Sequence, residues 1–364
     1  MRKIVILALA SAALLLGGCC KEDKKEAPSG TAATSTDGKG LGDPSNDPAI
    51  VAAAKPVLTC TWGSYGFDSK CAALETWKKL EAMKNGAGDK TLVNFLEDKD
   101  YKVQWLGAEA LSRQGQLYRK DQALATKVVD AADKATEKLV VSALARAAGN
   151  ADLQATGLAP RVMKMLEGHA NAELRQELAG NTLFRNRDAT GMYDLFVKLA
   201  RTDKDPKVRK AAAAAFWTGT PNGKNEDVCK LWLELADDAD HDLAGHSAYH
   251  CSFTSSGGGC TGQWDALLSL IERKAKAGQV KSSFMAAALK YFYGQQKATD
   301  AQKKRALEVA KVLVANPAND GSSRSSALEF VGKEDPAGKA FAAKYENDSE
   351  FFVKSAAKRI KEGK

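Results

Sequence analysis

The sequence predicts an all-α fold: an α-solenoid of about eight helical hairpins, preceded by a signal peptide and a disordered linker. Three observations support this prediction. Amphipathic stretches recur roughly every 36 residues, turn-forming residues separate them, and no comparable run of alternating β-branched residues appears. With 44% hydrophobic and 27% charged residues, the 364-residue chain is neither wholly disordered nor a polytopic membrane protein.

Residues 1–18 have the layout of a signal peptide. Arg2 and Lys3 form a basic start, and the apolar run over 4–16 is too short for a membrane-spanning helix, which needs about 20 residues. A leucine, two glycines and Cys19 follow, and this arrangement resembles the lipobox of bacterial lipoproteins. The resemblance implies cleavage before Cys19 and covalent lipid on its thiol. The alternative is a plain secretory signal with an incidental cysteine.

The same resemblance implies a location in the cell envelope. Bacterial lipoproteins carry several acyl chains, which hold a protein at a membrane more durably than the marginal binding given by one chain. Cys20 follows the anchor, where a lipoprotein retained in the inner membrane commonly has Asp. We therefore expect attachment to the outer membrane, with the body facing the periplasm or the cell surface.

Residues 19–56 predict a flexible linker behind the lipid. They are rich in small and charged residues, and their only bulky aliphatic residues are Leu41, Ile50 and Val51. So little apolar area cannot offset the conformational entropy that is lost on ordering. The segment is expected to tether the body to the membrane.

Residues 57–87 predict a cap on the first repeat. Cys60 and Cys71 flank a short aromatic segment, and in an exported protein we expect them to form a disulfide. A helix over 72–83 follows, and its Trp77 is expected to cover the open end of the array.

One segment shows the repeat most clearly. Asp205 and Pro206 begin a predicted helix, and small apolar residues at offsets 0, 4, 7 and 8 from Val208 share one helical face. This pattern resembles the second helix of a HEAT repeat, including the Val-Arg pair that Val208 and Arg209 form after the acidic turn. The resemblance covers 88–364 and implies a protein-binding scaffold. A generic alanine-rich helical bundle is the alternative.

Equivalent anchor positions recur along the chain. The eight anchors are Val103, Val140, Leu174, Val208, Leu243, Val280, Ser323 and Val353. An earlier amphipathic stretch precedes most of them, as at Thr91–Leu96, Val162–Leu166, Met192–Leu199, Val228–Leu235, Trp264–Ile271 and Ala306–Val314. Such hairpins cannot bury their apolar faces alone, so stacking of neighbours must supply the core.

The residue after each anchor is a candidate for the binding surface. Five of these eight positions are basic, namely Arg175, Arg209, Lys281, Arg324 and Lys354. Two interpretations remain open. The resemblance to HEAT repeats implies a ladder in which these cations bond the acidic turns of neighbouring repeats. Alternatively, they line a groove for an acidic protein partner, which the net charge of +8 permits.

Three of the four histidines, His241, His246 and His250, lie within ten residues. His246 and His250 are four apart and share a helix face, a spacing that can hold zinc or copper. The alternative is a packing role, because His250 and Cys251 fall on the face that packs against the neighbouring helix.

The later cysteines leave the disulfide pairing open. A hairpin turning near Ala239 brings Cys229 opposite Cys251, and a Gly/Ser-rich loop also lets Cys251 reach Cys260. Either pairing suits an exported protein.

Tyr291, Phe292 and Tyr293 are adjacent aromatic residues at a predicted helix end. Three successive helix residues cannot all face one core. Tyr291 and Tyr293 are therefore candidates for contact with a partner, and the alternative is that they pack with only part of each ring exposed.

No catalytic motif is found. Gly245–Tyr249 approaches the nucleophile elbow but ends in Tyr and follows no strand, and Gly219–Lys224 is too short for a phosphate-binding loop. We expect a non-catalytic, membrane-anchored scaffold that binds protein, with no nucleic acid, small-molecule substrate or cofactor beyond the lipid. The alternative function is a metal-binding or redox-responsive periplasmic module over residues 229–260.

Overall fold

Eight helical hairpins follow one another in the computed structural model, which describes residues 39–113, 115–252 and 260–363. The predicted signal peptide and its lipidation site Cys19 lie outside the described residues. Within those three ranges, no helix is both long enough and apolar enough to cross a membrane.

Short elements precede the hairpins, namely α1 (Pro48–Leu58), β1 (Trp62–Gly63), β2 (Gly66–Phe67) and α2 (Ala72–Lys78). The first helices of the hairpins are α3 (Asp89–Phe95), α5 (Gln122–Lys134), α7 (Ala159–Gly168), α9 (Met192–Thr202), α11 (Asn225–Leu235), α13 (Trp264–Lys276), α15 (Asp300–Ala315) and α17 (Gly338–Ala343). The second helices are α4 (Tyr101–Arg113), α6 (Lys138–Asn150), α8 (Ala172–Asn186), α10 (Pro206–Gly219), α12 (His241–Ser252), α14 (Ser283–Tyr293), α16 (Gly321–Glu334) and α18 (Phe351–Glu362). Among the described residues, 3₁₀ helices span Gly40–Gly42, Glu81–Gly86 and Thr261–Gln263.

The second helices pack against one another in chain order, from α4 through α18, and form a continuous layer that we call the second-helix layer. First helices pack on their own second helices and on adjacent first helices, as α3 does on α5 and α13 on α15. A generic bundle would instead bring sequence-distant hairpins together. The predicted all-α, solenoid-like fold is therefore confirmed.

The predicted anchors belong to the buried core of this array. All eight are buried, and Val280 lies just before α14 rather than within a helix. At the template hairpin, the Asp205 carboxylate accepts a hydrogen bond of 2.8 Å from the Lys207 N–H, and Pro206 occupies the first helical position. The acidic turn therefore starts the helix as the sequence predicts.

The expected linker boundary at residue 56 is wrong, because residues 39–56 fold onto the first hairpin. Ile50 and Ala54 lie on one face of α1 and are completely buried. The Leu41 N–H donates to the Asp98 carboxylate at 2.8 Å, and Gly40 has a φ of +66° in a position where a Cβ would collide with Asp98. A few well-spaced apolar residues therefore suffice to dock this segment.

The cap contains the expected disulfide between Cys60 and Cys71, which encloses the β1–β2 ladder. The helix α2 ends at Lys78 and not at Met83 as expected, because Leu80 adopts an extended backbone before the 3₁₀ helix. Trp77 is buried, and its ring stacks on Phe95 of α3 with 6.2 Å between centroids.

Arginines after the anchors join neighbouring hairpins through their turns. Arg175 donates to both carboxylate oxygens of Asp203 in the next hairpin, at 3.1 and 2.9 Å, and to the His169 carbonyl of its own turn at 2.7 Å. Arg324 donates to Asp348 in the same way, at 3.2 and 2.6 Å. Burial favours a higher pKa for Asp203, but the hydrogen bonds and charge of Arg175 hold that pKa below its usual value.

At the remaining ladder positions among the described residues, no cation bonds both oxygens of one carboxylate as Arg175 and Arg324 do. Arg209 donates to the Asp203 carbonyl at 3.1 Å and to the Asp238 carboxylate at 3.0 Å, and Lys281 donates to the Ala318 carbonyl. Lys354 in the last hairpin is half-buried.

The interpretation of these cations as an open groove for an acidic partner is therefore wrong for the arginines. Arg175 and Arg324 are each only 2% exposed, and their hydrogen-bonding groups are directed at turns of the protein itself. These side chains hold adjacent hairpins in register.

The second disulfide joins Cys229 to Cys260, which is neither of the two pairings expected from the sequence. The 3₁₀ helix Thr261–Gln263 packs on α11 and brings Cys260 beside Cys229. Cys251 is unpaired and buried, with its Sγ 3.9 Å from the Cys229 carbonyl oxygen, and burial raises the pKa of its thiol to about 12.

We expect Arg175→Ala to lower the free energy of unfolding by about 3 kcal/mol, because it leaves the buried Asp203 carboxylate without its cation. Urea denaturation followed by circular dichroism measures the loss. Lys354→Ala is the matched control, since Lys354 holds the same repeat position and its side chain forms no ion pair with the described residues. Equal, small effects of both substitutions would contradict the ladder.

We expect peptide mapping under non-reducing conditions to recover Cys60 linked to Cys71 and Cys229 linked to Cys260. Because Cys251 is buried with a raised pKa, N-ethylmaleimide should modify it only after denaturation. A peptide that links Cys251 to Cys229 or to Cys260 would show that this arrangement is wrong.

Candidate interaction surface on the second-helix layer

Five ring-bearing residues form a continuous group across three consecutive second helices. Trp217 lies on α10, Tyr249 and His250 on α12, and Phe284 and Tyr291 on α14. The ring centroids are 4.9 Å apart for Trp217 and His250, 5.8 Å for Tyr249 and Phe284, and 5.0 Å for Tyr249 and Tyr291. We call this group the aromatic strip.

The exposed part of the strip lies on α14. Phe284 is 37% exposed and Tyr291 is 40% exposed, although both rings make aromatic contacts with Tyr249. Burial and the Tyr291 hydroxyl raise the pKa of Tyr249 to about 12, so the Tyr249 phenol is a neutral hydrogen-bonding group at physiological pH. This surface combines apolar ring faces with hydroxyl groups, a composition typical of protein interfaces.

Tyr291, Phe292 and Tyr293 have different surroundings, as expected for three successive residues of a helix. Phe292 is buried against Trp264, with 4.9 Å between centroids, and Tyr293 is half-buried against Phe330. Tyr291 therefore belongs to the candidate surface, whereas Tyr293 contributes mainly to packing.

His250 closes the inner end of the strip. Its ring packs against both Trp217 and Trp232, at centroid distances of 4.9 and 5.3 Å. Its Nδ1 atom is buried and has no hydrogen-bond partner among the described residues. Burial, helped by the nearby His246, lowers the pKa of His250 to about 4, so this imidazole is neutral at physiological pH.

The other two histidines do not join His250 in a metal site. His246 lies 3.0 Å from the Asp242 carboxylate through Nδ1, and its ring centroid is 3.9 Å from that of Phe284. His241 is exposed. In the part of the chain that the structure describes, no three His, Cys, Asp or Glu residues converge to hold a metal ion. In place of the predicted His241, His246 and His250 metal set, the structure has an exposed His241, a His246 whose ring nitrogen contacts Asp242, and a His250 packed against tryptophans.

A groove of 720 Å³ lies beside the outer end of the strip. It crosses α14, α16 and α18, and Tyr291 forms part of its wall. Four of its lining residues are cationic and two are anionic. The cations are Lys290, Lys333, Lys339 and Arg359, and the anions are Glu329 and Glu334. We call this depression the basic groove.

A second groove of 440 Å³ lies between the cap and the first two hairpins. Glu109 lines it and bonds both Arg113 and Arg146, each at 2.5 Å. Lys78, the third cationic residue of the lining, pairs with Glu75, so each cation of this groove already has an anionic partner within the protein.

Sequence reasoning missed Trp217, Tyr249 and Phe284. They lie at different offsets from the anchors of their own helices, so no single repeat shows them as a group. One signal could have identified Trp217 and Tyr249: each is a large aromatic residue outside the apolar stripe of a second helix. Phe284 carries no such signal, because it lies four residues after Val280, on the predicted apolar face.

No protein-family model and no curated protein matches this chain. Among solved structures, it is similar to an engineered protein from the Northeast Structural Genomics Consortium, with 18% identity and a TM-score of 0.32, covering 87% of this chain and 98% of that one. A second engineered protein from the same consortium gives 17% identity and a TM-score of 0.21, covering 76% and 97%. Scores this low carry no argument about fold or function, so the surface is interpreted from its own geometry.

The burial of His250 predicts a specific loss of stability in acid. The unfolded imidazole takes up a proton near pH 6.5, whereas the folded one does so only near pH 4. Between these values the unfolded state binds more protons, so stability falls as pH falls, by roughly 3 kcal/mol at most.

Urea midpoints measured between pH 7 and pH 4.5 test this expectation. His250→Phe keeps a ring against the two tryptophans and should remove this part of the pH dependence. His241→Gln is the control, because His241 is exposed and should leave the dependence unchanged. Parallel curves for the wild type and His250→Phe would be inconsistent with a buried, neutral imidazole.

Proposed function

We propose that this protein is a lipid-anchored scaffold of the bacterial cell envelope that binds a protein partner, without catalysis, through its second-helix layer. The aromatic strip is the observation that carries this proposal. It joins three consecutive hairpins and leaves Phe284 and Tyr291 exposed at its outer end. Contiguous exposed aromatic surface on a folded protein is characteristic of an interaction site.

The architecture supports this use of the surface. Buried ion pairs such as Arg175 with Asp203 fix one hairpin against the next, so the strip is held on a rigid support. A surface that is ordered before binding loses little conformational entropy when a partner docks. Tyrosine and tryptophan side chains also contribute large contact areas for few rotatable bonds.

The proposed location follows from the sequence. The lipobox that ends in Cys19 supports lipid attachment, and Cys20 in place of Asp supports delivery to the outer membrane. Folded structure begins by residue 40, so the linker proposed between lipid and body is shorter than the composition of residues 19–56 indicated. A partner in the periplasm or at the cell surface is consistent with this anchor.

Site-specific photocrosslinking tests the proposed function. Benzoylphenylalanine replaces Phe284 in the full-length protein, which is then irradiated in intact cells. We expect a discrete protein adduct, and we expect Tyr291→Ala in the same chain to reduce its yield at least fivefold. The same probe at Lys304, an exposed residue on α15, is the matched control and should give no such adduct. Equal adducts at both positions, or lipid adducts alone at 284, would overturn the proposal.

A further inference from the structure

We propose that the basic groove binds an acidic, extended segment of the protein partner. This inference rests on the proposed function and adds the chemistry of what is bound. The groove adjoins the aromatic strip through Tyr291, so one partner can contact both surfaces.

Small residues create the depression. Ala286 and Ala287 on α14 and Ser326 and Gly332 on α16 line it, and none carries a side chain large enough to fill it. A Cβ on Gly332 would lie 2.7 Å from the Ile360 side chain, so the glycine lets α18 approach α16 closely. The volume of 720 Å³ lies within the range of about 300–1,000 Å³ that is usual for ligand sites.

The charges of the groove are not balanced internally. Arg359 forms an ion pair with Glu329, and the Lys333 ammonium lies 3.5 Å from the Glu334 carboxylate. Lys290, at the end of α14, and Lys339, at the start of α17, form no ion pair with any described residue, and both are exposed. These two ammonium groups lie on different elements of the groove, so each can meet an acidic side chain of a bound segment.

The dimensions favour an extended peptide. The groove crosses three second helices, and two interhelical spacings of about 8–10 Å give a length of roughly 16–20 Å. At about 3.3 Å per residue, an extended chain of five or six residues spans this distance. A membrane surface would instead require the cations to project from a flat or convex face, so the depression favours a peptide over anionic lipid.

Fluorescence anisotropy with a fluorescein-labelled hexaglutamate peptide tests this inference on the full-length protein in neutral detergent. We expect binding that weakens as salt is raised, because the contacts are between exposed charges. The double substitution Lys290→Glu and Lys339→Glu should lower the affinity at least tenfold. Lys304→Glu on α15 changes the net charge of the protein by the same amount per residue and should lower the affinity less than twofold.

The milder pair Lys290→Gln and Lys339→Gln keeps the test valid if the charge reversals disturb folding, and it should lower the affinity at least threefold. Absence of hexaglutamate binding, wild-type affinity in both double variants, or an equal loss in Lys304→Glu would overturn the inference. So would displacement of the peptide by phosphatidylglycerol vesicles, which would identify a lipid surface. If the Phe284 crosslink persists while hexaglutamate fails to bind, the proposed function stands and this inference falls.

Discussion

The structure depends on the inability of a single hairpin to bury its own apolar face. Stacking solves this problem only if adjacent second helices can approach closely, and small residues make this possible. A Cβ on Gly245 would lie 2.3 Å from Ser282 Oγ, and one on Gly219 would lie 2.9 Å from the Leu183 side chain. The continuous second-helix layer, and every surface built on it, follows from this close contact between neighbours.

Charge in this protein serves two separate purposes. Arg175 and Arg324 after the anchors are buried and satisfied by the turns of adjacent hairpins, so they fix register and are not available to a partner. Some cations away from those positions remain at the surface without an ion pair among the described residues, as Lys290 and Lys339 do. The candidate surface therefore lies where the repeat pattern is broken, because positions that every hairpin needs for stacking are already occupied.

The extent of successful prediction differs between the fold and the site. The periodicity of apolar residues located the hairpins, since the same face must be buried in each of them. The segment over 39–56 was mistaken for linker because composition averages over positions, whereas Ile50 and Ala54 dock through their placement on one helical face. Adjacent aromatic residues indicated that not all three rings are buried, and Tyr291 is partly exposed while it packs on Tyr249, but the strip to which it belongs draws on three different helices.

The sequence by itself determined the helical repeat, the starts of its helices at acidic turns and the eight buried anchors, because these depend on local spacing and on capping chemistry. Only the tertiary structure decided which cysteine joins Cys229, which cations pair with the turns of neighbouring hairpins and which rings meet on the second-helix layer. Those outcomes depend on distances between residues that are remote in the chain. The stacking of hairpins sets these distances, and no single repeat contains them.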